Sequence, residues 1–283
     1  MRRSRLSVHV ASLLLAVGTA LTGAATAQAA DTAAAGGYVA LGDSYSSGLG
    51  AGSYISNSGD CKRSSKAYPA LWAAANSPSS FDFTACSGAK TADVTAGQLG
   101  PLSSSTALVS VSIGGNDAGF ADIMTTCVLQ GDSACVSRIN TAKAFVDSTL
   151  PGRLDAVYNA IRSRAPAARV VVLGYPRFYK LGASGCVGLS ETKRRALNDA
   201  ADHIDAAIEK RARDHGFAFG DVRTTFTGHE LCSGSPWMHS VNWLSISESY
   251  HPTAAGQEGG DRLARHSAGV AARSLNTRRV TEL

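Results

Sequence analysis

Apolar and β-branched runs alternate along this chain with longer segments whose apolar residues recur every three or four positions. The short runs predict five β-strands, over residues 38–41, 81–85, 107–113, 169–173 and 217–222. The longer segments predict helices over residues 67–76, 133–163 and 189–215. Pro151-Gly152 divides the middle segment into two helices. A last helix is expected from Thr253, which supplies an N-cap, to Ala272.

Strands that alternate with helices are typical of βαβ units, which place helices on both faces of a parallel sheet. We therefore predict an α/β fold, a three-layer αβα sandwich around a sheet of about five parallel strands. The runs 108–113 and 170–173 are almost continuously apolar, as buried strands of such a sheet are. Ligands bind at the carboxyl ends of strands in this architecture. Ser44, Gly88 and Asn116 all follow predicted strands, so they should meet at one edge.

The N-terminal residues carry the pattern of an export signal. Three arginines precede an apolar stretch, and Ala27-Gln28-Ala29 has the small residues of a cleavage site. The apolar stretch is too short to span a bilayer, and no later segment offers about 20 uninterrupted apolar residues. We expect residues 1–29 to be removed and residues 30–283 to form one secreted, extracellular domain without a transmembrane segment.

Charge argues against a nucleic-acid partner. Removing residues 1–29 lowers the formal net charge from +5 to +2, because this segment contains three arginines and no acid. Nucleic-acid binding usually needs a clustered basic surface. The cluster Lys193-Arg194-Arg195 is therefore expected to be a solvated helix face. We expect the protein to be a monomer.

All six cysteines follow the predicted signal, and an even set in an oxidising compartment predicts three disulfides. Sequence alone allows 15 pairings, although a short polar loop between Cys127 and Cys135 favours their pairing with each other. No two cysteines or histidines have the spacing of zinc ligands, so no metal is expected. Pairing of neighbours along the chain gives Cys61–Cys86, Cys127–Cys135 and Cys186–Cys232.

The turn Gly42-Asp43-Ser44 follows the first predicted strand and presents a serine at its end. A serine hydroxyl is a weak nucleophile and needs a base. Among the seven histidines, His251 stands out because Pro252 keeps it in an extended conformation and a predicted helix begins directly behind it. His229 and His239 lie in a polar loop segment and stay open as alternatives.

Ester hydrolysis passes through a tetrahedral oxyanion that hydrogen-bond donors stabilise. Gly88 can bring its backbone N–H close because glycine has no side chain in the way. Asn116 follows two glycines and can point its amide at the same place. Ser44, at the start of a helix or turn, offers its own backbone N–H. These three groups are the predicted oxyanion hole.

Four segments of the chain resemble the blocks of the SGNH or GDSL hydrolase family, over about residues 38–256. The blocks are residues 42–48, the segment of Gly88, Gly115-Asn116-Asp117 and His251-Pro252. The resemblance implies a flavodoxin-like sandwich with Ser44 as nucleophile, His251 as base, the oxyanion hole described above, and no cofactor. The export signal and the six cysteines are most similar to secreted bacterial GDSL lipases and phospholipases.

The histidine segment departs from the family pattern at one position. Relatives often carry an aspartate three residues before the histidine, where this chain has Glu248. Others use a backbone carbonyl two residues before the histidine, here that of Ser249. We favour a Ser44–His251 dyad assisted by the Ser249 carbonyl, with a triad that includes Glu248 as the alternative.

The resemblance implies a carboxyl-ester hydrolase, a lipase that cleaves fatty-acyl esters through a serine acyl-enzyme and contacts a lipid interface transiently. Phospholipase A1 and carbohydrate O-acetyl esterase activities stay open as alternatives, because groove shape sets the acyl length. A non-catalytic secreted binding module would need the four blocks to coincide by chance. Four large apolar residues before the histidine either line an acyl groove or fill a loop core beneath Cys232: Trp237, Met238, Trp243 and Leu244.

Overall fold

A computed structural model describes residues 36–260, so the predicted signal at residues 1–29 and the helix beyond residue 260 lie outside the described part. The five predicted strands form one parallel sheet in the order β2-β1-β3-β4-β5. The strands are β1 (Gly37–Gly42), β2 (Phe81–Phe83), β3 (Thr106–Ser112), β4 (Arg169–Leu173) and β5 (Ala218–Gly220). The prediction of a five-stranded parallel sheet is confirmed.

Helices connect the strands and cover both faces of the sheet. They are α1 (Ser44–Ser47), α2 (Tyr68–Asn76), α3 (Thr91–Asp93), α4 (Phe120–Leu129), α5 (Asp132–Ser148), α6 (Leu150–Arg164), α7 (Glu191–Asp214) and α8 (Val222–Phe226). Residues 254–260 are also helical, and the Thr253 hydroxyl accepts the Gly256 N–H at 3.4 Å, as expected for the N-cap. No helix in the described range is long and apolar enough to cross a membrane.

The core consists of one apolar layer on each face of the sheet. Successive side chains of a strand point to opposite faces. In β1, Val39 and Leu41 pack with Leu154 of α6 in one layer. Tyr38 of the same strand packs with Trp72 of α2 in the other. This alternation on a central strand produces the three-layer sandwich predicted from sequence.

Several boundaries differ from the prediction, and the short helices α3 and α8 were not predicted. The expected strand over residues 217–222 is too long, because the Asp221 carboxylate accepts the Arg223 N–H at 3.0 Å and begins α8. Helix α4 was not predicted. Its sequence is apolar or threonine at almost every position, and Ile123 and Met124 are buried.

The expectation that Lys193-Arg194-Arg195 is a solvated face is wrong for its first two members. Lys193 and Arg194 are only 8% and 6% exposed. The Lys193 ammonium donates to Cys127 O at 2.8 Å, and the Arg194 guanidinium donates to Cys186 O at 2.5 Å. Both side chains therefore donate to backbone carbonyls of disulfide-bonded cysteines, one in α4 and one in the loop before α7.

Three disulfides join the neighbour-to-neighbour pairs expected from sequence, and the second of them connects α4 to α5. The pairs are Cys61–Cys86, Cys127–Cys135 and Cys186–Cys232. The Cys61–Cys86 bridge lies two residues before Gly88, and Ser87 N–H donates to Cys61 O at 3.1 Å. This bridge therefore holds the loop that carries one of the predicted oxyanion donors.

Candidate active site

Ser44 lies at the sharp turn between β1 and α1. Gly42 ends β1 with a φ of 125°, and a Cβ at this position would stand 2.4 Å from Ser112 O, so only glycine lets the turn pass over β3. Asp43 follows as the N-cap of α1, and its carboxylate accepts the Tyr45 N–H at 3.0 Å. The cap fixes the backbone on either side of Ser44 at the carboxyl edge of the sheet.

Asp43 is 1% exposed and lies at the centre of a buried hydrogen-bond network. Its carboxylate accepts the Ser112 hydroxyl at 2.7 Å and the Tyr175 hydroxyl at 2.5 Å. Burial raises the pKa of Asp43 to about 6, while these donors lower it. The Tyr175 oxygen also accepts the Gly115 N–H at 3.1 Å. Tyr175 thus links the turn at Ser44 to the loop that carries Asn116.

His251 is in hydrogen-bond contact with Ser44, 207 residues earlier in the chain. Its Nε2 lies 2.8 Å from Ser44 Oγ, and its Nδ1 lies 3.0 Å from Ser249 O. With the Nδ1 proton donated to this carbonyl, Nε2 is free to accept the serine proton. The ring is only 6% exposed. Burial is the largest cause that lowers the pKa of His251, to about 4, so the imidazole is neutral at ordinary pH.

The histidine loop is held from two sides. Tyr250 adopts a φ of 62°, which is uncommon for a residue with a side chain. Its carbonyl accepts the Tyr45 hydroxyl at 2.7 Å, and its N–H donates to His239 O at 2.9 Å. The His239 N–H in turn donates to His251 O at 3.0 Å. These bonds fix the backbone that orients the imidazole.

The two groups considered as histidine orienters lie in different surroundings. Ser249 O accepts from His251 Nδ1, as described above. Glu248 Oε1 accepts the Tyr54 hydroxyl at 2.6 Å instead.

The predicted oxyanion donors surround the same space as Ser44 Oγ. Asn116 Nδ2 donates one hydrogen to Ala89 O at 3.0 Å, which orients the amide and leaves its second N–H for a ligand. Gly88 has a φ of 79°, and a Cβ there would meet no atom within 4 Å. Gly88, Asn116 and Ser44 all line one groove with His251. Asp117 accepts the Thr91 N–H at 2.9 Å, which supports a structural role for this acid.

This groove has a volume of about 450 Å³, and its lining contains no Lys, Arg, Asp or Glu. Its apolar walls come from separate segments and include Leu49, Val128 and Val241. A second, mainly apolar cavity of about 70 Å³ lies behind Ser44 between α4, α5 and α7. Both cavities share Phe120. The arrangement can place an uncharged acyl chain beside the Ser44 hydroxyl, the neutral His251 imidazole and the predicted oxyanion donors.

The remaining residues singled out from sequence have other positions. Trp237 and Met238 belong to the loop core, whereas Trp243 lines the groove and Leu244 is fully exposed. His229 stacks on Trp237 at a ring distance of 3.6 Å. Within residues 36–260, no group of three or more His, Cys, Asp or Glu side chains could hold a metal ion.

Comparison with known proteins places this geometry in a family. The model of the GDSL-like Lipase/Acylhydrolase family matches residues 40–258. Lipase 1 of Streptomyces coelicolor is 75% identical over 260 residues, which cover 92% of this chain and 97% of that protein.

Two solved structures of Streptomyces enzymes have nearly the same fold. Phospholipase A1 from Streptomyces albidoflavus has a TM-score of 0.81 at 67% identity, covering 83% of this chain and 100% of that one. An extracellular lipase from Streptomyces rimosus has a TM-score of 0.80 at 66% identity, covering 82% and 99%. Since the matched range includes both Ser44 and His251, this chain belongs to the GDSL-like lipase and acylhydrolase family and is an ester hydrolase.

Proposed function

We propose that this ester hydrolase is a lipase, which cleaves fatty-acyl esters through an acyl-enzyme on Ser44. The observation that carries the proposal is the 2.8 Å contact between Ser44 Oγ and His251 Nε2 at the base of the uncharged groove. A groove without charged side chains favours an aliphatic acyl chain, because burial of apolar surface drives its binding. The lipases among the relatives support the same assignment.

In the first half of the reaction, Ser44 Oγ attacks the ester carbonyl carbon while its proton passes to His251 Nε2. The carbonyl oxygen becomes an oxyanion that accepts hydrogen bonds from Ser44 N–H, Gly88 N–H and the Asn116 amide. When the oxyanion collapses, the bond to the alcohol oxygen breaks, and the alcohol takes the proton from His251. The products are the free alcohol and an acyl ester of Ser44.

In the second half, water replaces the alcohol. His251 Nε2 removes a proton from the water, whose oxygen attacks the acyl carbon, and the same donors stabilise the second oxyanion. Collapse breaks the bond to Ser44 Oγ, which recovers the proton from His251. The fatty acid leaves, and the enzyme returns to its starting state.

We propose that His251 works in a dyad, with Ser249 O as its orienting group. The 3.0 Å distance from Nδ1 to this carbonyl supports that role. A neutral carbonyl holds the imidazole in the required tautomer and offers a dipole to the imidazolium that forms during catalysis. Glu248 is then not the orienting group, and its carboxylate accepts the Tyr54 hydroxyl instead.

Phospholipase A1 activity is the second candidate, because a solved relative of this activity is as similar to the chain as the extracellular lipase is. The two substrates share a fatty-acyl ester and differ in what occupies the alcohol side. The groove lining offers no cation to a phosphate, so we favour the lipase reaction.

The test is a series of initial rates on p-nitrophenyl esters of increasing acyl length, with a triglyceride and a phosphatidylcholine measured alongside. We expect long-chain esters and the triglyceride to be preferred. Preference for acetyl esters would contradict the proposal, and a faster rate on the 1-acyl bond of phosphatidylcholine would favour the second candidate.

Ser44→Ala identifies the nucleophile in the same assays. We expect a loss of roughly 10⁴-fold to 10⁶-fold in kcat. The matched control is Ser47→Ala, which removes a hydroxyl that donates to Ser44 O at 3.2 Å. One neutral hydrogen bond limits the control's loss to about fivefold. Equal activity of Ser44→Ala and the parent would exclude Ser44 as the nucleophile.

We also propose that the mature protein is a secreted monomer consisting of residues 30–283 as one domain. Three disulfides support an oxidising compartment, and one relative is described as extracellular. The N-terminal sequence of protein recovered from culture medium tests the cleavage site. Sedimentation equilibrium tests the monomer, which a dimeric mass would contradict.

A further inference from the structure

We propose that a neutral lipid surface docks on the apolar side chains of Leu129, Trp243, Leu244 and Ile246, here named the groove rim. The proposal rests on the proposed lipase function, since it identifies the physical form in which the substrate meets the site. It adds a binding surface outside the catalytic groups and states which residues contact the lipid.

The groove rim contains most of the large apolar side chains that the described part of the chain exposes. Exposure reaches 69% for Leu129, 72% for Trp243, 100% for Leu244 and 62% for Ile246. Contiguous exposed apolar surface usually marks an interaction site. Among residues 36–260, Val187 is an exposed apolar side chain that does not line the groove.

The rim stands at the groove that holds the catalytic pair. Leu129 is the last residue of α4, and Trp243 and Ile246 belong to the loop that leads to His251. These three residues line the groove together with Ser44 and His251. A lipid surface resting on the rim therefore covers the groove that leads to the nucleophile.

This position reduces the cost of substrate entry. Each methylene group of the acyl chain lowers the equilibrium constant for its transfer from lipid to water by about fourfold. An acyl chain that passes from a docked surface directly into the apolar groove avoids that transfer. Docking thus matters for aggregated lipid and has no effect on a short ester that is already dissolved in water.

Charge identifies the kind of surface. No Lys, Arg, Asp or Glu lines the groove, and Glu248 on the same loop binds the Tyr54 hydroxyl at 2.6 Å. A docking site for anionic lipid would present basic side chains. Trp243 has the amphipathic ring that is enriched at membrane–water interfaces. The occupant that fits is a neutral or zwitterionic lipid surface, held by apolar burial.

The experiment measures co-sedimentation with phosphatidylcholine vesicles, using Ser44→Ala throughout so that the lipid is not consumed. Leu244→Ser is added to remove the most exposed side chain of the rim, and Val187→Ser is the matched control on another part of the surface. We expect Leu244→Ser to weaken vesicle binding by about tenfold or more, and Val187→Ser to leave it unchanged. Equal binding by both variants, or an equal loss in both, would overturn the proposal.

Salt and lipid composition provide a second measurement. Raising salt from about 0.1 M to about 1 M shortens the Debye length from about 10 Å to about 3 Å, and we expect vesicle binding to persist. Binding that disappears in high salt, or that requires anionic lipid, would overturn the proposal. So would a parent dimer that Leu244→Ser converts to monomer without lipid, because a second copy would then occupy the rim.

Catalysis separates this proposal from the proposed function. With Ser44 restored, we expect Leu244→Ser to hydrolyse dissolved p-nitrophenyl butyrate at the parent rate and emulsified triglyceride about tenfold more slowly. Normal hydrolysis of both substrates would overturn docking and leave the lipase assignment intact. Absence of ester hydrolysis in the parent would instead overturn the function, while vesicle binding would still be measured on the inactive form.

Discussion

The turn at residues 42–44 and the groove rim are neighbours that have opposite physical character. The turn is closed by buried polar contacts: Asp43 is 1% exposed and receives donors from Ser112 and Tyr175. The rim exposes apolar side chains such as Leu244, which is 100% exposed. The turn is fixed by directional hydrogen bonds, whereas the rim offers apolar surface, whose contacts are non-directional.

The contrast matches two demands of ester hydrolysis at an interface. Transition-state stabilisation requires donors at fixed distances from the oxyanion, and a buried, satisfied network fixes its members in one geometry. Acyl chains are flexible and differ in length, so apolar contact that tolerates several arrangements suits them. Substitutions in the turn should therefore change kcat, while substitutions in the rim should change the response to aggregated lipid.

Among variants that retain Ser44 and His251, Asn116→Ala is expected to show the largest effect on the polar side of this contrast. It removes a proposed oxyanion donor while the groove stays open, so kcat on a dissolved ester should fall by about 10²-fold to 10³-fold. Steady-state kinetics with p-nitrophenyl butyrate provide the measurement, and thermal unfolding checks that the fold persists. A loss below about tenfold in a folded variant would remove Asn116 from the oxyanion hole.

Tyr175→Phe tests whether the network also positions the oxyanion loop. It leaves the Asp43 carboxylate and the Gly115 N–H without the partners found at 2.5 and 3.1 Å, which costs about 1–3 kcal/mol in the free energy of unfolding. We expect kcat to fall by about tenfold and KM to stay nearly constant, because the groove is not altered.

Tyr158→Phe is the matched control for that variant. Tyr158 is fully buried, but its hydroxyl has no hydrogen-bond partner in the described part of the chain. Its removal should leave kcat unchanged and should not destabilise the protein. Similar kinetics for the two phenylalanine variants would show that Tyr175 only fills space.

The pH dependence of kcat/KM on a dissolved ester tests the burial of His251 and Asp43. Burial sets the pKa of His251 at about 4 and that of Asp43 at about 6. We expect a shallow step near pH 6 and the main acid limb near pH 4. At pH 5 an ordinary histidine would lose about 30-fold, whereas we expect a loss below about tenfold. One full step near pH 6.5 would contradict this assignment.

His251 and Asp43 change the free energy of unfolding in opposite directions as the pH falls. The pKa of His251 is lower in the folded chain than its ordinary value of 6.5, so its contribution to the free energy of unfolding decreases as pH falls from 6.5 towards 4. The pKa of Asp43 is raised from 3.8 to about 6, so its contribution increases as pH falls from 6 towards 3.8. Unfolding midpoints of His251→Gln should therefore fall less on acidification than those of the parent.

Glu248→Gln is expected to have the smallest effect. Glutamine retains an oxygen that can accept the Tyr54 hydroxyl, so kcat should change by less than about fivefold. Tyr54→Phe, which removes the donor of the same contact, should behave similarly. A loss near 10⁴-fold in Glu248→Gln alone, the size expected when a triad acid is neutralised, would establish the triad instead of the dyad.

Much of the sheet was predictable because local pattern and burial agree. The predicted strand over residues 169–173 coincides with β4, Arg169–Leu173, since a β-branched run buried on both faces can hardly form anything else. Helix α4 was not predicted, since a short run of apolar residues and threonines is compatible with a strand or a helix. Tertiary packing, which a sequence does not display, decides the structure of such segments.

The candidate site was predictable where its residues lie in local motifs and not where it depends on strand order. Ser44, Gly88, Asn116 and His251 stand in recognisable turns. Tyr175 follows β4, which β3 separates from β1 in the sheet, so its contact with Asp43 appears only once the topology is known. Its one signal in the sequence was its position directly after a buried strand.

The walls of the groove come from segments far apart in the chain, such as Leu49, Val128 and Val241. The side chains of these three residues are apolar and take no part in the hydrogen bonds of Asp43, although the Leu49 backbone N–H donates to Ser44 O at 3.1 Å. For a duplicated gene, this separation has an evolutionary consequence. A single wall substitution can alter which acyl chains a descendant accepts without an inactive intermediate, so new substrate preferences can arise one mutation at a time.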